Sequence, residues 1–136
     1  MLVIDASLTL SWGFPDEESE EGFRLLNRVI GEGATVPSVW TLEIVNALAV
    51  AERKRRITLD QILETLALLR SLLVRISPAS ITSDFGPVMN ISRAQGLSAY
   101  DAAYLELAPR EGLPLATFDK GLRQAAENLG LRVLSS

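Results

Sequence analysis

Four acids in this chain stand where solubility alone does not explain them. Asp5 closes the apolar run Leu2-Val3-Ile4, and Glu43 sits in the almost wholly apolar stretch Trp40-Thr41-Leu42-Glu43-Ile44-Val45-Asn46-Ala47-Leu48. Asp101 and Asp119 each fall at the start of a helix-forming segment. Three have ordinary alternatives: Asp5 as a turn acid after a strand, Asp101 as half of a capping box with Ser98 three residues before it, and Asp119 as a helix N-cap. Glu43 is harder to explain away. A helix apolar on nearly every face is expected to be buried, a buried carboxylate without a partner is costly, and no basic residue lies three or four positions away. Carboxylates gathered at one place repel one another unless a cation sits among them, and one bound cation accounts for all four acids at once.

What the chain lacks narrows the chemistry. With 0 Cys there is no disulfide, thiolate metal site or Cys nucleophile, and with 0 His there is no imidazole base, imidazole ligand or Ser-His-Asp triad. A metal held by oxygen ligands alone is expected to be hard, Mg²⁺ or Mn²⁺ rather than Zn²⁺. One or two such ions polarise a phosphodiester, activate a water and stabilise the leaving oxygen.

The elements that must carry these acids alternate between short apolar runs and longer helical ones. Strands are expected at 2–5, 34–36 (closed by Pro37), 74–76, 114–117 and 131–134. Helices are expected at 16–31, with Phe23, Leu25, Leu26, Val29 and Ile30 as the core stripe and acids in the first turns; at Ser38 to about 55; at 59–73; at 81–95, ending at Gly96; at 99–110 after Ser98; and from Asp119 to about 129. Pro109 falls within the last turn of the 99–110 segment, where it is expected to kink the helix or end it early. Short apolar strands alternating with helices imply an α/β domain with a parallel sheet covered on both faces. Ligands bind such sheets beyond the carboxyl ends of the strands. Asp5 and Asp119 follow strands, and Asp101 and Glu43 lie early in helices, so all four can reach that one edge.

The segments Leu2-Val3-Ile4-Asp5-Ala6-Ser7, Leu42-Glu43-Ile44-Val45-Asn46-Ala47-Leu48, Leu97-Ser98-Ala99-Tyr100-Asp101-Ala102-Ala103-Tyr104 and Leu113-Pro114-Leu115-Ala116-Thr117-Phe118-Asp119, in this order, resemble the PIN-domain ribonucleases, and most closely the toxin component of VapBC toxin–antitoxin pairs. The resemblance runs the length of the chain. It implies a sheet of about five parallel strands in the order 3-2-1-4-5, Mg²⁺- or Mn²⁺-dependent RNA cleavage, a small antitoxin partner and a homodimer. On this resemblance Asp5, Glu43, Asp101 and Asp119 are the metal-site acids. Ser7 and Thr117 match the small hydroxyl positions beside them, where ordinary capping is an equal explanation.

Length and composition agree with one domain over residues 1–136, which the resemblance makes nuclease-like: the chain has 136 residues, 48% of them hydrophobic. No apolar run reaches the roughly 18 residues of a membrane span, and the N-terminus lacks a basic leader, so the expected location is the cytoplasm. A net charge of −4 argues against non-specific nucleic-acid binding, although the run Arg53-Lys54-Arg55-Arg56 offers local positive charge, either for phosphates or as a solvated helix end. Surplus leucines in 59–73 point to core or to contact with an antitoxin or a second copy. Two other readings compete with cleavage. One is a nuclease-fold binding module that no longer cleaves. The other is a phosphoacceptor signalling domain, disfavoured because Ala6 stands where a second acid is needed.

Overall fold

The computed structural model describes residues 1–134. Its four-stranded parallel sheet has the order β3-β2-β1-β4, with β1 at Leu2–Ile4, β2 at Ala34–Pro37, β3 at Val74–Ser77 and β4 at Leu115–Ala116. β1, β2 and β4 are buried throughout, which is why they read as continuous apolar runs rather than alternating ones. The fifth segment, 131–134, lies on the free side of β4, as the order 3-2-1-4-5 requires, but among the described residues it makes a single parallel bridge, Leu115 to Val133. Two backbone hydrogen bonds hold it there, Leu115 N–H to Arg132 O and Leu134 N–H to Leu115 O, each 2.9 Å.

Eight helices connect these strands among the described residues: α1 (Ala6–Ser11), α2 (Glu20–Glu32), α3 (Trp40–Arg53), α4 (Leu59–Ser71), α5 (Ile81–Ser83), α6 (Met89–Gln95), α7 (Ala99–Glu111) and α8 (Lys120–Asn128). The helix expected at 16–31 begins only at Glu20. Ser19 is its N-cap, accepting from Gly22 N–H at 3.0 Å, and Pro15–Glu17 forms a separate 3₁₀ turn. Asp16 and Glu17 are drawn away from α2 by Arg56, which bonds both. The α2 core stripe is Gly22, Leu25 and Val29, with Leu26 packed at its edge; Phe23 and Ile30 face solvent, contrary to expectation.

Three further differences concern helix ends and continuity. Ser38 does not cap α3; Val39 occupies the N-cap position without a side-chain bond. The 81–95 segment is helical throughout, as expected, but not uniformly α: a π-helical turn, Asp84–Val88, which contains Pro87, lies between α5 and α6. Gly96 then ends α6 at φ +64°, a left-handed conformation that glycine adopts without strain. Pro109 does not end α7, which runs on to Glu111 and is closed by Gly112. In contrast, α4 starts with an unanticipated capping box, Thr58 with Gln61.

The core lies between the sheet and the helices. Leu2, Ile4, Leu8, Val29, Val36, Ile44, Leu48, Tyr104, Leu107, Leu115 and Leu122 belong to one buried cluster. Two indole N–H groups tie helices across it: Trp12 donates to Gly22 O at 2.8 Å, and Trp40 donates to Thr9 Oγ1 at 3.0 Å. Among the described residues, no helix is long and apolar enough to cross a membrane.

Candidate active site

β1 delivers Asp5 to the carboxyl edge of the sheet, where it becomes the N-cap of α1 and is 4% exposed. Each of its two carboxylate oxygens accepts hydrogen bonds. Oδ1 accepts from Leu8 N–H at 3.0 Å and from Ser7 Oγ at 2.8 Å, and Oδ2 accepts from the Ser7 and Thr117 hydroxyls. Each hydroxyl is itself anchored to the β4–α8 connection. Ser7 Oγ accepts from Phe118 N–H at 3.0 Å, and Thr117 Oγ1 accepts from Asp119 N–H at 2.9 Å. Ser7 and Thr117 thus hold the Asp5 carboxylate by hydrogen bonds and tie the end of β1 to the segment that follows β4.

Asp119 caps α8, accepting from Leu122 N–H at 2.9 Å, and is exposed. The capping explanation for it is correct as far as Oδ1 goes. It is also close enough to act electrically on Asp5 and Asp101. Asp101, partly buried in the first turn of α7, has its N–H capped by Ser98 Oγ at 3.1 Å.

Glu43 lies in the first turn of α3 and is partly buried. The expectation that α3 is buried all round is wrong: Leu42 is 70% and Val45 54% exposed. Nor is the carboxylate without a partner, since the Tyr104 hydroxyl donates to Glu43 Oε1 at 2.7 Å. Tyr104 comes from α7, one turn after Asp101 and on the same helical face. Its role was not read from the sequence, although that three-residue spacing was the available signal.

Burial, and after it the neighbouring acids, raise the pKa of Asp5, Glu43 and Asp101. Burial pushes the Asp5 carboxyl above its ordinary value, with Asp119's charge adding to the effect and the three donors opposing it. Burial also raises Glu43, assisted by the charges of Asp101 and Asp5 and opposed by Tyr104. Asp101 is raised by burial and then by Asp119. No Lys or Arg among the described residues forms an ion pair with these acids; the ion pairs there engage Asp16, Glu17, Glu32, Glu106 and Glu111, and none involves the four site acids. The basic run is partly committed elsewhere, with Arg56 bonded to Asp16 and Glu17 and stacked 4.0 Å over Phe14.

The structure thus brings all four predicted acids into one electrostatically coupled group with oxygen donors only. Among the described residues, no three of them converge into a ready ligand set. A hard divalent cation fits the donor chemistry, and the uncompensated negative charge is what such an ion would neutralise.

Comparison with known proteins agrees with this arrangement. The family model described as PIN domain matches residues 2–128. The chain belongs to the PIN-domain family. PIN domains are generally nucleases that use divalent metal ions. The structure is similar to that of PAE2754 from Pyrobaculum aerophilum, at 22% identity and a TM-score of 0.66, covering 92% of this chain and 87% of that one. It is similar also to FitAcB from Neisseria gonorrhoeae, at 19% identity and a TM-score of 0.65, covering 99% of this chain and 97% of that one. At these identities the likeness of the PIN domain to both is one of fold. A search of curated proteins gave no match.

Proposed function

We propose that this PIN domain, spanning residues 1–136, is a Mg²⁺- or Mn²⁺-dependent endoribonuclease acting in the cytoplasm as the toxin of a toxin–antitoxin pair. The observation that supports the reading is that four carboxylates from four separate elements are linked by electrostatic coupling, no Lys or Arg among the described residues pairs with any of them, and burial raises the pKa of Asp5, Glu43 and Asp101. Burying carboxylates without a basic partner costs stability, whereas a cation site makes use of them.

Asp5, Glu43, Asp101 and Asp119 are the residues that would hold the ion. When bound, it supplies Lewis-acid polarisation of a phosphodiester and a more acidic water. The chain's own contribution is positioning. Ser7, Thr117 and the Leu8 N–H fix the Asp5 carboxylate, so its negative charge stays at one place. Asp119 is exposed and Asp101 partly so, which leaves one side of the group open to a polymeric RNA.

The same reading includes two protein partners. Leu59, Leu63 and Leu73, at or just beyond the ends of α4 and along it, are 56%, 53% and 68% exposed and suit an apolar segment of a small antitoxin. Ile81, Phe85, Met89 and Tyr100, at 74%, 76%, 51% and 62%, suit contact with a second copy.

Incubating purified protein with total RNA in Mg²⁺, Mn²⁺ or chelator tests the proposal, with Asp5→Asn as the control for contaminating nuclease. Cleavage by the parent in metal, absent in chelator and in the variant, is the expected result. Cleavage undiminished by chelator, from protein free of contaminants, overturns metal dependence. A parent inactive in both metals favours the alternative, a PIN-fold binding module without catalysis, which the lack of a ready ligand set among the described acids would then explain.

A further inference from the structure

Tyr104 is 1% exposed, and its ring belongs to the core cluster with Leu105 and Leu107. A buried phenol hydroxyl needs a hydrogen-bond partner. Here the partner is Glu43 Oε1 at 2.7 Å, across 61 residues of sequence and from a different helix. Asp101 lies three residues before Tyr104 on α7, so one helical face supplies both an acid to the site and a donor to another acid.

We infer that Tyr104 is a positioning residue that presents Glu43 to the divalent ion of the site, an inference that rests on the metal-dependent reading above. Glu43 has a flexible side chain on a helix whose flanking residues Leu42 and Val45 face solvent. Left alone it would populate several rotamers, and ordering it on metal binding would cost conformational entropy. The phenol holds Oε1 and leaves Oε2 for an ion. It does so without charge: a Lys or Arg at position 104 would neutralise the carboxylate and compete with the cation, while a Phe would fill the same space and hold nothing. Partners that orient metal-binding groups in this way typically contribute 10–100-fold to metal affinity or activity.

The rival account is that Tyr104 is only a core residue whose hydroxyl found a convenient acceptor. Mn²⁺ titration by calorimetry, together with thermal melts with and without Mn²⁺, separates the two and needs no RNA. For Tyr104→Phe the inference predicts Mn²⁺ affinity reduced by about tenfold and a smaller metal-induced rise in melting temperature. Unchanged Mn²⁺ affinity together with an unchanged metal-induced rise overturns it, whatever happens to the metal-free melting temperature. If Tyr104→Phe folds poorly, the titrations are run well below its melting temperature, where it is folded, and Glu43→Gln and Glu43→Gln/Tyr104→Phe are compared there as well. Equal Mn²⁺ affinities in that pair support action through Glu43, and a further loss in the double variant overturns it. A parent that binds no Mn²⁺ at all is a failure of the metal-dependent reading and is seen in the first titration, before any variant is made.

Discussion

Thr117 and Asp5, 112 residues apart in the chain, meet in a buried hydrogen bond in which the threonine hydroxyl donates to the Asp5 carboxylate. The same hydroxyl accepts from Asp119 N–H. One oxygen atom therefore sets the Asp5 carboxylate against the start of α8, and the spacing of two candidate metal-site acids depends on it.

Replacing Thr117 with Val keeps the shape and removes both bonds. Loss of a hydrogen bond to a charged group costs about 2 kcal/mol. In a domain of this size that amounts to a melting temperature lower by roughly 8 °C. Cleavage should fall more than tenfold, because Asp5 loses a fixed donor and the Asp119 backbone loses its anchor. Melts and initial rates check this, and a variant matching the parent in both removes Thr117 from the site.

The raised carboxyls give the metal-free protein a pH dependence of definite sign. The folded-state pKa of Asp5 lies above its ordinary value of 3.8, so the folded state holds its proton to higher pH than the unfolded state does. Its contribution is fully favourable below that ordinary value and is lost as pH rises through the folded pKa. Glu43 and Asp101 act in the same direction. The lowered pKa values of Asp16 and Glu32 act oppositely but belong to surface groups screened by solvent. Urea denaturation in chelator between pH 4 and 7 should show a negative stability slope that is shallower in Asp5→Asn. Equal slopes in the two proteins would refute the assignment.

Phe85 tests the second-copy surface. It is 76% exposed, so Phe85→Glu should leave the melting temperature nearly unchanged while converting a dimer to a monomer in light scattering. A parent that is monomeric at high concentration, or a variant that remains dimeric, rejects that surface. For the antitoxin, Leu59→Glu with Leu63→Glu is the appropriate change. Leu68 and Leu72 are unsuitable, because both pack partly against the core and their replacement would disturb folding.

The parts of the site legible in the sequence were those carried by local pattern. Asp5 could be read because an apolar run ends abruptly in an acid, and Asp119 because an N-cap follows a strand. Glu43 was identified for a reason that fails: α3 is half exposed, and its partner Tyr104 lies 61 residues away, beyond any helical spacing. α1 escaped notice because Leu8 and Leu10 continue the apolar character of β1, leaving only the Asp5 cap to mark the boundary. Pro109 suggested an early end to α7, yet Gly112 sets the actual one, since in the last turn the missing N–H costs one bond while buried Leu105, Leu107 and Ala108 hold the helix in place.

The most discriminating single substitution is Asp5→Asn, and the hydrogen bonds show why its shape can be preserved. The Asn Oδ1 can accept from Leu8 N–H and from Ser7 Oγ, as the carboxylate does. Its amide can donate to Thr117 Oγ1, whose own proton must then turn elsewhere. Asn is also a good N-cap. What the change removes is a buried charge facing Asp119. Without metal, the variant should therefore melt above the parent, with relief of about 1 kcal/mol giving roughly 4 °C. Added Mn²⁺ should raise the parent's melting temperature, because a ligand bound only by the folded state stabilises it by mass action. The rise should shrink in the variant, which should also lose cleavage. If Asp5 were only a cap, the metal-free variant would melt at or slightly below the parent and metal would shift both proteins equally. Four melts, each protein with and without Mn²⁺, give the answer. A variant that melts lower and keeps the full metal shift excludes Asp5 from the metal site, and with it the central element of the proposed function.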